Sequence, residues 1–441
     1  MSPIVIGVLF LILFLILMCL GVPIPFAMLF CGTLGVAVIR GANVAGQIIA
    51  ADLYSTFSSY TLTVGPMFGL MGFIANYSNI GASLFNCINK FMGHRKGGLA
   101  MATQVACAGF GAICGSVPAT ISTMSAIAYP EMRKRNYTPE LAGGCIAAGA
   151  GLSVLIPPST NFIIYGLATE TSIGKLFVAG IFPGIILCVA NIIAIAIACK
   201  LHPDWSTIIN KANWKERWHS IVHGGLIEIF IVFIISMGGM FAGFFTATEA
   251  GAVGAFGMLI VTVVTKKLNF KKFMESMLAG VRLQAMVFVL LACANVFGRM
   301  FTVSRIPTVL GNFVSSLSVP AWAIMLVIFI IYFFMGMVTD LLSMTLVTMP
   351  IFFPIVVDLL GYNAIWFGVI ISNLICIGGI TPPVGNGVFL VKGSVTDNEA
   401  TLSRLFRGVW PFVISTMLVT IIMLFFPQIC IFLPTVIYGG A

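Results

Sequence analysis

Charge is scarce in this sequence. Of its 441 residues only 8% are Asp, Glu, Lys or Arg, while 60% are hydrophobic. A soluble globular protein carries roughly 25% charged residues. A soluble globule of this length could not hide so much apolar surface, so lipid must be the solvent for most of the chain. That excludes a cytoplasmic enzyme, a nucleic-acid binder and a disordered polypeptide. The 11 cysteines include no CxxC and lie in or beside apolar stretches. They read as small packing residues, with no disulfide framework and no metal set. His219 and His223 are four apart, but no acidic residue stands between them and they lie by a polar linker. HExxH, GxSxG with a His partner, and a phosphate-binding Gly loop followed by Lys are all missing, which argues against an enzyme or an ATP-driven pump. Met1–Leu20 has no charged leader and no small-residue cleavage site, so it reads as a first spanning helix.

What is present is hydrophobic length. About 20 apolar residues span a bilayer, and runs meeting that test lie near 4–20, 22–39, 56–77, 173–199, 222–243, 247–265, 277–301 and 408–433. Three further apolar stretches, 99–130, 138–169 and 320–391, are punctuated by Gly, Pro, Ser, Thr and Asn. Basic residues cluster at Lys90/Arg95/Lys96, Arg133/Lys134/Arg135, Lys200/Lys211/Lys215/Arg217, Lys266/Lys267/Lys271/Lys272 and Lys392/Arg404/Arg407, which is 17 of the 22 Lys and Arg. So lopsided a split places these clusters in the cytoplasm. Segment 99–130 then has cytoplasmic flanks at both ends. It reads as a re-entrant hairpin with its tip at Gly115–Thr120; two short spans joined by an outer loop are the alternative. Irregular backbone at membrane depth needs protein or a wet cavity around it.

The chain repeats itself. Pro157-Pro158 and Asn161 recur as Pro382-Pro383 and Asn386, each 225 positions on. Gly180-Ile181-Phe182-Pro183 is echoed by Gly408-Val409-Trp410-Pro411, and the first tip by Gly336–Ser343. The expected fold is an all-α polytopic membrane protein. Each half has three spans, an amphipathic helix (78–92, 303–318), a re-entrant hairpin (99–130, about 320–357), a Pro-Pro-broken span and a closing span. Five crossings per half is an odd number, so the second half is inverted. Inverted repeats with paired broken helices mark secondary transporters, whose site lies near the midplane.

Two consecutive prolines unwind a helix, leaving carbonyls that can ligate a small cation and helix N-termini that favour an anionic group. Candidates for holding such an anionic group are Ser116, Thr120, Ser159, Thr160, Asn161 and Asn386. Candidates for the cation are Ser116, Ser122, Thr339, Asp340 and Thr381, with Gly151, Pro157, Gly336, Gly378 and Pro382 at the tips and breaks. Any single Ser or Thr could instead back-bond to its own helix. Asp340, a carboxylate within a hairpin, is a functional candidate by default, its rival role being a helix cap. Thr246–Glu249 has the pattern of a capping box. Arg282 and Arg299 lie within a span and could meet substrate or snorkel.

Ile156-Pro157-Pro158-Ser159, Ile164-Tyr165-Gly166, Ala179–Gly184, Phe245–Gly254 and Ile380–Gly385 together resemble the large membrane subunit of tripartite ATP-independent periplasmic (TRAP) transporters, along essentially the whole chain. The resemblance implies a multi-pass protein of the bacterial inner membrane working by an elevator mechanism. Its transport domain would comprise 99–169 and 320–400, and its scaffold the spans within 1–98 and 170–319, with a closing span in 401–441. It implies sodium as coupling ion, one cation between each tip and break, and no other cofactor. It implies two partners, a small four-span membrane subunit and a periplasmic substrate-binding protein, and an organic-acid substrate such as sialic acid, a four-carbon dicarboxylate or a sugar acid. A stand-alone divalent-anion/sodium symporter of the wider ion-transporter superfamily would share these features but need no binding protein.

Overall fold

A computed structural model describes residues 1–208, 211–222, 226–317 and 319–439. His223 lies outside them. Among the described residues the regular structure is helical throughout. The first half contains α1 (Pro3–Cys19), α2 (Ile24–Arg40), α3 (Ala42–Phe57), α4 (Val64–Tyr77), α5 (Ile80–Met92), α6 (Gly98–Cys114), α7 (Val117–Lys134), α8 (Pro139–Ala150, with a further turn at Leu152–Leu155), α9 (Thr160–Thr169) and α10 (Ile173–Leu201). The linker carries α11 (Trp214–Val222). The second half contains α12 (Leu226–Phe233, continuing through a π-turn to Phe241), α13 (Ala247–Val264), α14 (Phe270–Ser304), α15 (Ile306–Ser316), α16 (Ala321–Gly336), α17 (Leu341–Phe353, ending in a π-turn), α18 (Ala364–Gly378), α19 (Asn386–Ser394), α20 (Leu402–Phe425) and α21 (Gln428–Tyr438).

The order of parts is the expected one in both halves, with two departures in span boundaries. The run expected as one span at 56–77 instead takes in the end of a separate helix, α3 (Ala42–Phe57), a 3-10 turn at Tyr60–Thr63 and α4. Polar residues hide α3 from a hydropathy reading, chiefly Asp52, whose carboxylate accepts from Arg299 of α14 at 2.7 and 3.1 Å. The closing span expected at 408–433 stops at Phe425, and Pro427 starts the separate helix α21. Pro427 lacks the N–H that would carry the hydrogen-bond ladder on, and here the chain breaks, although Pro183 and Pro411 are accommodated inside α10 and α20.

Sequence-local chemistry sets many of the helix starts. Thr246 and Glu249 form the reciprocal capping box expected of them. Asn269, Asn363 and Thr401 cap α14, α18 and α20 with their side chains. Helix faces then sort by solvent. Along α10, Ile185, Val189, Ile193 and Ile197 are each about half exposed. These four residues recur every fourth position, one stripe of an α-helix. The opposite face, including Leu187, Asn191, Ile195 and Ala198, is buried. A continuous apolar outer stripe has lipid as its natural solvent.

Two packing groups emerge. One core joins α1, α2 and α14 through Phe14, Met28, Phe297, Met300 and Phe301. A larger one holds the hairpins, the broken helices and the closing helices α10 and α20, together with α4, α5, α12 and α13. The closing helices are tied in by polar bonds too. Trp366 of α18 donates to the Met423 carbonyl at 3.0 Å, and Ser415 of α20 donates to Asn191 of α10 at 2.6 Å. Asn191 in turn donates to Gln104 of α6 at 3.2 Å.

Candidate functional site

Both hairpins end against the breaks. Gly115, at φ +58°, turns the first tip, and a Cβ there would run into the Pro158 carbonyl. The Gly115 carbonyl accepts from the Thr160 N–H at 3.2 Å and the Thr160 hydroxyl at 2.8 Å. The first tip therefore rests at the middle of the 139–169 segment. At the second tip the Met337 carbonyl accepts from the Gly385 N–H at 3.3 Å. Gly336 and Gly378 approach so closely that a Cβ on Gly378 would lie 2.6 Å from the Gly336 carbonyl carbon. Positions 225 earlier, Gly111 and Ser153, make the matching contact, 2.6 Å from a Gly111 Cβ to the Ser153 Cα. Both Pro-Pro bonds, 157–158 and 382–383, are cis.

These four elements enclose one cavity of about 310 Å³. Ser116, Thr160, Thr339, Asp340 and Asn386 line it with side chains, and Gly151 lines it at the first break. Asp340 is the one charged residue among the lining side chains. It also caps α17, accepting from the Ser343 N–H at 3.0 Å, the rival role weighed for it. Four helices, α7, α9, α17 and α19, begin at the cavity wall. Their N–H ends supply positive potential where no Lys, Arg or His lines the wall. The far wall is apolar: Leu283, Met286 and Val287 of α14.

The remaining candidates sit around this cavity rather than on it. Thr120 is buried and donates to the Ser116 carbonyl at 2.8 Å. Ser159 is buried and caps α9, accepting from the Phe162 N–H at 3.3 Å. Asn161 is fully buried; its amide donates to Ser372 at 2.7 Å and accepts from Thr345 at 3.0 Å. That bolts the first break to the second hairpin, while its counterpart Asn386 lines the cavity. Thr381 is buried and back-bonds to the Ile377 carbonyl at 2.7 Å. Gly336 and Gly378 meet behind the second tip, Pro157 and Pro382 form the breaks, and Ser122 is exposed on α7. Arg299 is engaged by Asp52, and Arg282 is exposed.

Sequence reasoning missed three parts of the site. Asn373 and Thr416 line the cavity from α18 and α20, and α14 supplies its apolar wall. Nothing in their local sequence marks them; an Asn amid Ile and Leu is the only signal. The third, outside the cavity lining, is a clamp at the C-terminal end of α7 and the N-terminal ends of α8 and α20. Arg404 of α20 pairs with Glu140 of α8 through two contacts, at 2.6 and 3.0 Å. Arg133 of α7 reaches Asp397 and Glu399, both at 2.7 Å, and Tyr129 donates to Asp397 at 2.8 Å. Partial burial works to raise the Asp397 carboxyl, but hydrogen bonds from the Glu399 N–H and Tyr129 and the charge of Arg133 outweigh it. They hold that carboxyl below the ordinary Asp value.

Comparison with known proteins places this geometry. The family described as "Tripartite ATP-independent periplasmic transporter, DctM component" matches residues 11–429. The C4-dicarboxylate TRAP transporter large permease protein DctM of Pseudomonas aeruginosa is 32% identical over 397 residues, covering 88% of this chain and 89% of that one. The isethionate TRAP transporter permease protein DctMQ of Oleidesulfovibrio alaskensis is 29% identical over 424 residues, and this chain spans 65% of its length. Among solved structures, the Alcanivorax borkumensis YdaH transporter shares the fold with a TM-score of 0.60 at 14% identity, covering 87% of this chain and 88% of that one. The chain belongs to the DctM family of tripartite ATP-independent periplasmic transporters, as a multi-pass inner-membrane permease and not an enzyme.

Proposed function

We propose that this permease imports an organic acid, handed over by a periplasmic binding protein, by coupling it to inward sodium flow, together with a small membrane subunit. The observation that carries this reading is the single cavity walled by both hairpin tips and both helix breaks. Sodium is a hard cation and takes several oxygen ligands. Thr339 and Asp340 with the Gly378 region at one tip, and Ser116 with Gly151 and Thr160 at the other, offer hydroxyl, carboxylate and carbonyl oxygens. The helix N-termini between them suit a carboxylate or sulfonate. The relatives' names point the same way, one to C4-dicarboxylates and one to isethionate.

An elevator-type movement suits this arrangement. The hairpins, broken helices and closing helices α10 and α20 would move as one body, and α14 with α1–α3 would form its support, with α4 packed against both and α13 against α4. Between them the cavity wall is apolar, which leaves few polar bonds to break as one body slides past the other. The two halves would run in opposite directions through the bilayer, giving equivalent outward and inward states. The test is uptake by the reconstituted three-part complex with sodium and candidate acids varied one at a time. Uptake that needs sodium and the binding protein supports the reading. Uptake by this chain alone would instead indicate a stand-alone carrier.

A further inference from the structure

The linker between the two halves carries a short helix, α11, whose two sides differ. Its inner side is gripped by α5. The Arg217 guanidinium carbon lies 5.4 Å from the Phe91 ring centroid and 6.0 Å from that of Trp214. The Phe91 and Trp214 rings meet edge to face at 6.4 Å, and Lys90 donates to the Glu216 carbonyl at 3.3 Å. One turn beyond Arg217, on the same side, Ile221 lines an apolar cleft with Ile80 and Leu84 of α5 and Ile227 and Phe230 of α12. These contacts fix how α11 is rotated.

The outer side is uncovered. Trp214 is 68% exposed and Trp218 62%, and Val222 extends the stripe by another turn. Lys215 and His219 line the same groove beside them. Lys200, Lys211 and Lys215 are all exposed. The acidic residue of α11, Glu216, is two positions before Trp218 and so points to the far side of the helix, which leaves the groove edged by positive charge.

Two observations say what covers this stripe. The first is continuity. Phe230, which shares the cleft with Ile221, is itself exposed, and it stands with Ile227, Ile231 and Ile234 on an outward apolar face of α12. The helix α11 therefore sits where the lipid-facing surface of α12 begins. The second is charge. Indole rings favour the headgroup level of a bilayer, and a helix with an aromatic stripe edged by lysines lies in that plane. Lysines at the cytoplasmic surface attract acidic headgroups.

We propose that α11 is a docking surface for acidic phospholipid of the cytoplasmic leaflet, with Trp214, Trp218 and Val222 set at headgroup depth and Lys211 and Lys215 holding the negative headgroups. The same helix grips α5, which leads into the first hairpin, so this lipid contact bears on the part of the molecule that carries the cavity. The inference depends on neither the cargo nor the coupling ion.

The test places the permease with its small subunit in phosphatidylcholine nanodiscs. One lipid carries bromine on its acyl chains, which quenches indole fluorescence on contact. In one set that lipid is phosphatidylglycerol, in the other phosphatidylcholine at the same mole fraction. The difference between wild type and Trp218→Phe isolates the Trp218 signal; Trp214→Phe serves if that variant does not fold. Trp218 is expected to be quenched by both lipids, and about twofold more by phosphatidylglycerol. Lys211→Gln combined with Lys215→Gln is expected to bring the two lipids level while Trp218 stays quenched. High potassium chloride should do the same to the wild type by screening. Trp218 unquenched by either lipid overturns the proposal, since the stripe would then face water or another protein. Equal quenching by both lipids at low salt overturns it as well, as does a preference that survives both lysine substitutions.

Discussion

Gly115 shows how tightly single residues are specified here. It holds a left-handed backbone and has the Pro158 carbonyl where a side chain would begin. Alanine costs roughly 1–2 kcal/mol from the backbone conformation alone, and backbone against backbone cannot move aside cheaply. Gly115→Ala is expected to lower the thermal midpoint and abolish uptake, read by unfolding and by transport in proteoliposomes. Thr339 behaves differently. Its hydroxyl donates to the Met335 carbonyl at 2.9 Å, which leaves its lone pairs unused, and the residue lines the cavity. Thr339→Ala should leave the fold intact and raise the sodium concentration for half-maximal uptake by about tenfold, the equivalent of ~1.4 kcal/mol. An unchanged sodium dependence would remove Thr339 from the ion site.

At the scale of helices, the buried amide of Asn161 joins α9 to both α17 and α18. Without it Ser372 and Thr345 keep their back-bonds to the Gly368 and Leu341 carbonyls, and what is lost is the two hydrogen bonds between helices. Each is worth about 0.5–1.5 kcal/mol, so Asn161→Leu should lower stability by about 1–3 kcal/mol. Because the side chain is fully buried, the sodium dependence of the surviving protein should match the wild type. A shift in that dependence would return Asn161 to the binding surface. This is a residue whose pattern in the sequence, an Asn just after a Pro-Pro pair, was legible, and whose task was not. Asn161 and Asn386 look alike in one dimension. Only the packing shows that one is a bolt and the other lines the cavity.

For the whole molecule, two arrangements decide behaviour. The clamp of Arg133, Tyr129, Asp397, Glu399, Glu140 and Arg404 holds parts of the two halves together. Because the Asp397 carboxyl is held below its ordinary value, its stabilising contribution is fully present above the unfolded-state value. It is lost as pH falls through the folded-state one. Stability should therefore be level across neutral pH and decline in acid below the ordinary Asp range. Asp397→Asn should flatten that part of the decline, as read by unfolding midpoints across a pH series. The second arrangement is the apolar face between α14 and the body that carries the cavity. Cysteines placed at Gly298 of α14 and Pro350 of α17, where a Cβ on Gly298 would lie 3.4 Å from the Pro350 Cβ, in a background lacking the native cysteines, are expected to cross-link and stop uptake, with reduction restoring it. Uptake that continues in fully cross-linked protein would rule out sliding at this face.

Composition and hydropathy by themselves determined that this chain is a membrane-embedded helical protein. The 225-residue recurrence of Pro-Pro and Asn by itself pointed to two related halves with matching breaks. These properties are local: solvent preference, helix capping and proline's missing N–H are read residue by residue. Tertiary structure alone decided which polar groups share a cavity. Ser116, Thr160, Thr339, Asp340 and Asn386 meet there, whereas Thr120, Ser159, Asn161 and Thr381 are turned into the packing around it. It also decided that Asp52 is answered by Arg299 and Glu140 by Arg404, pairs more than 240 residues apart. Which polar group finds which depends on helices packing in three dimensions, and spacing along the chain carries no record of that.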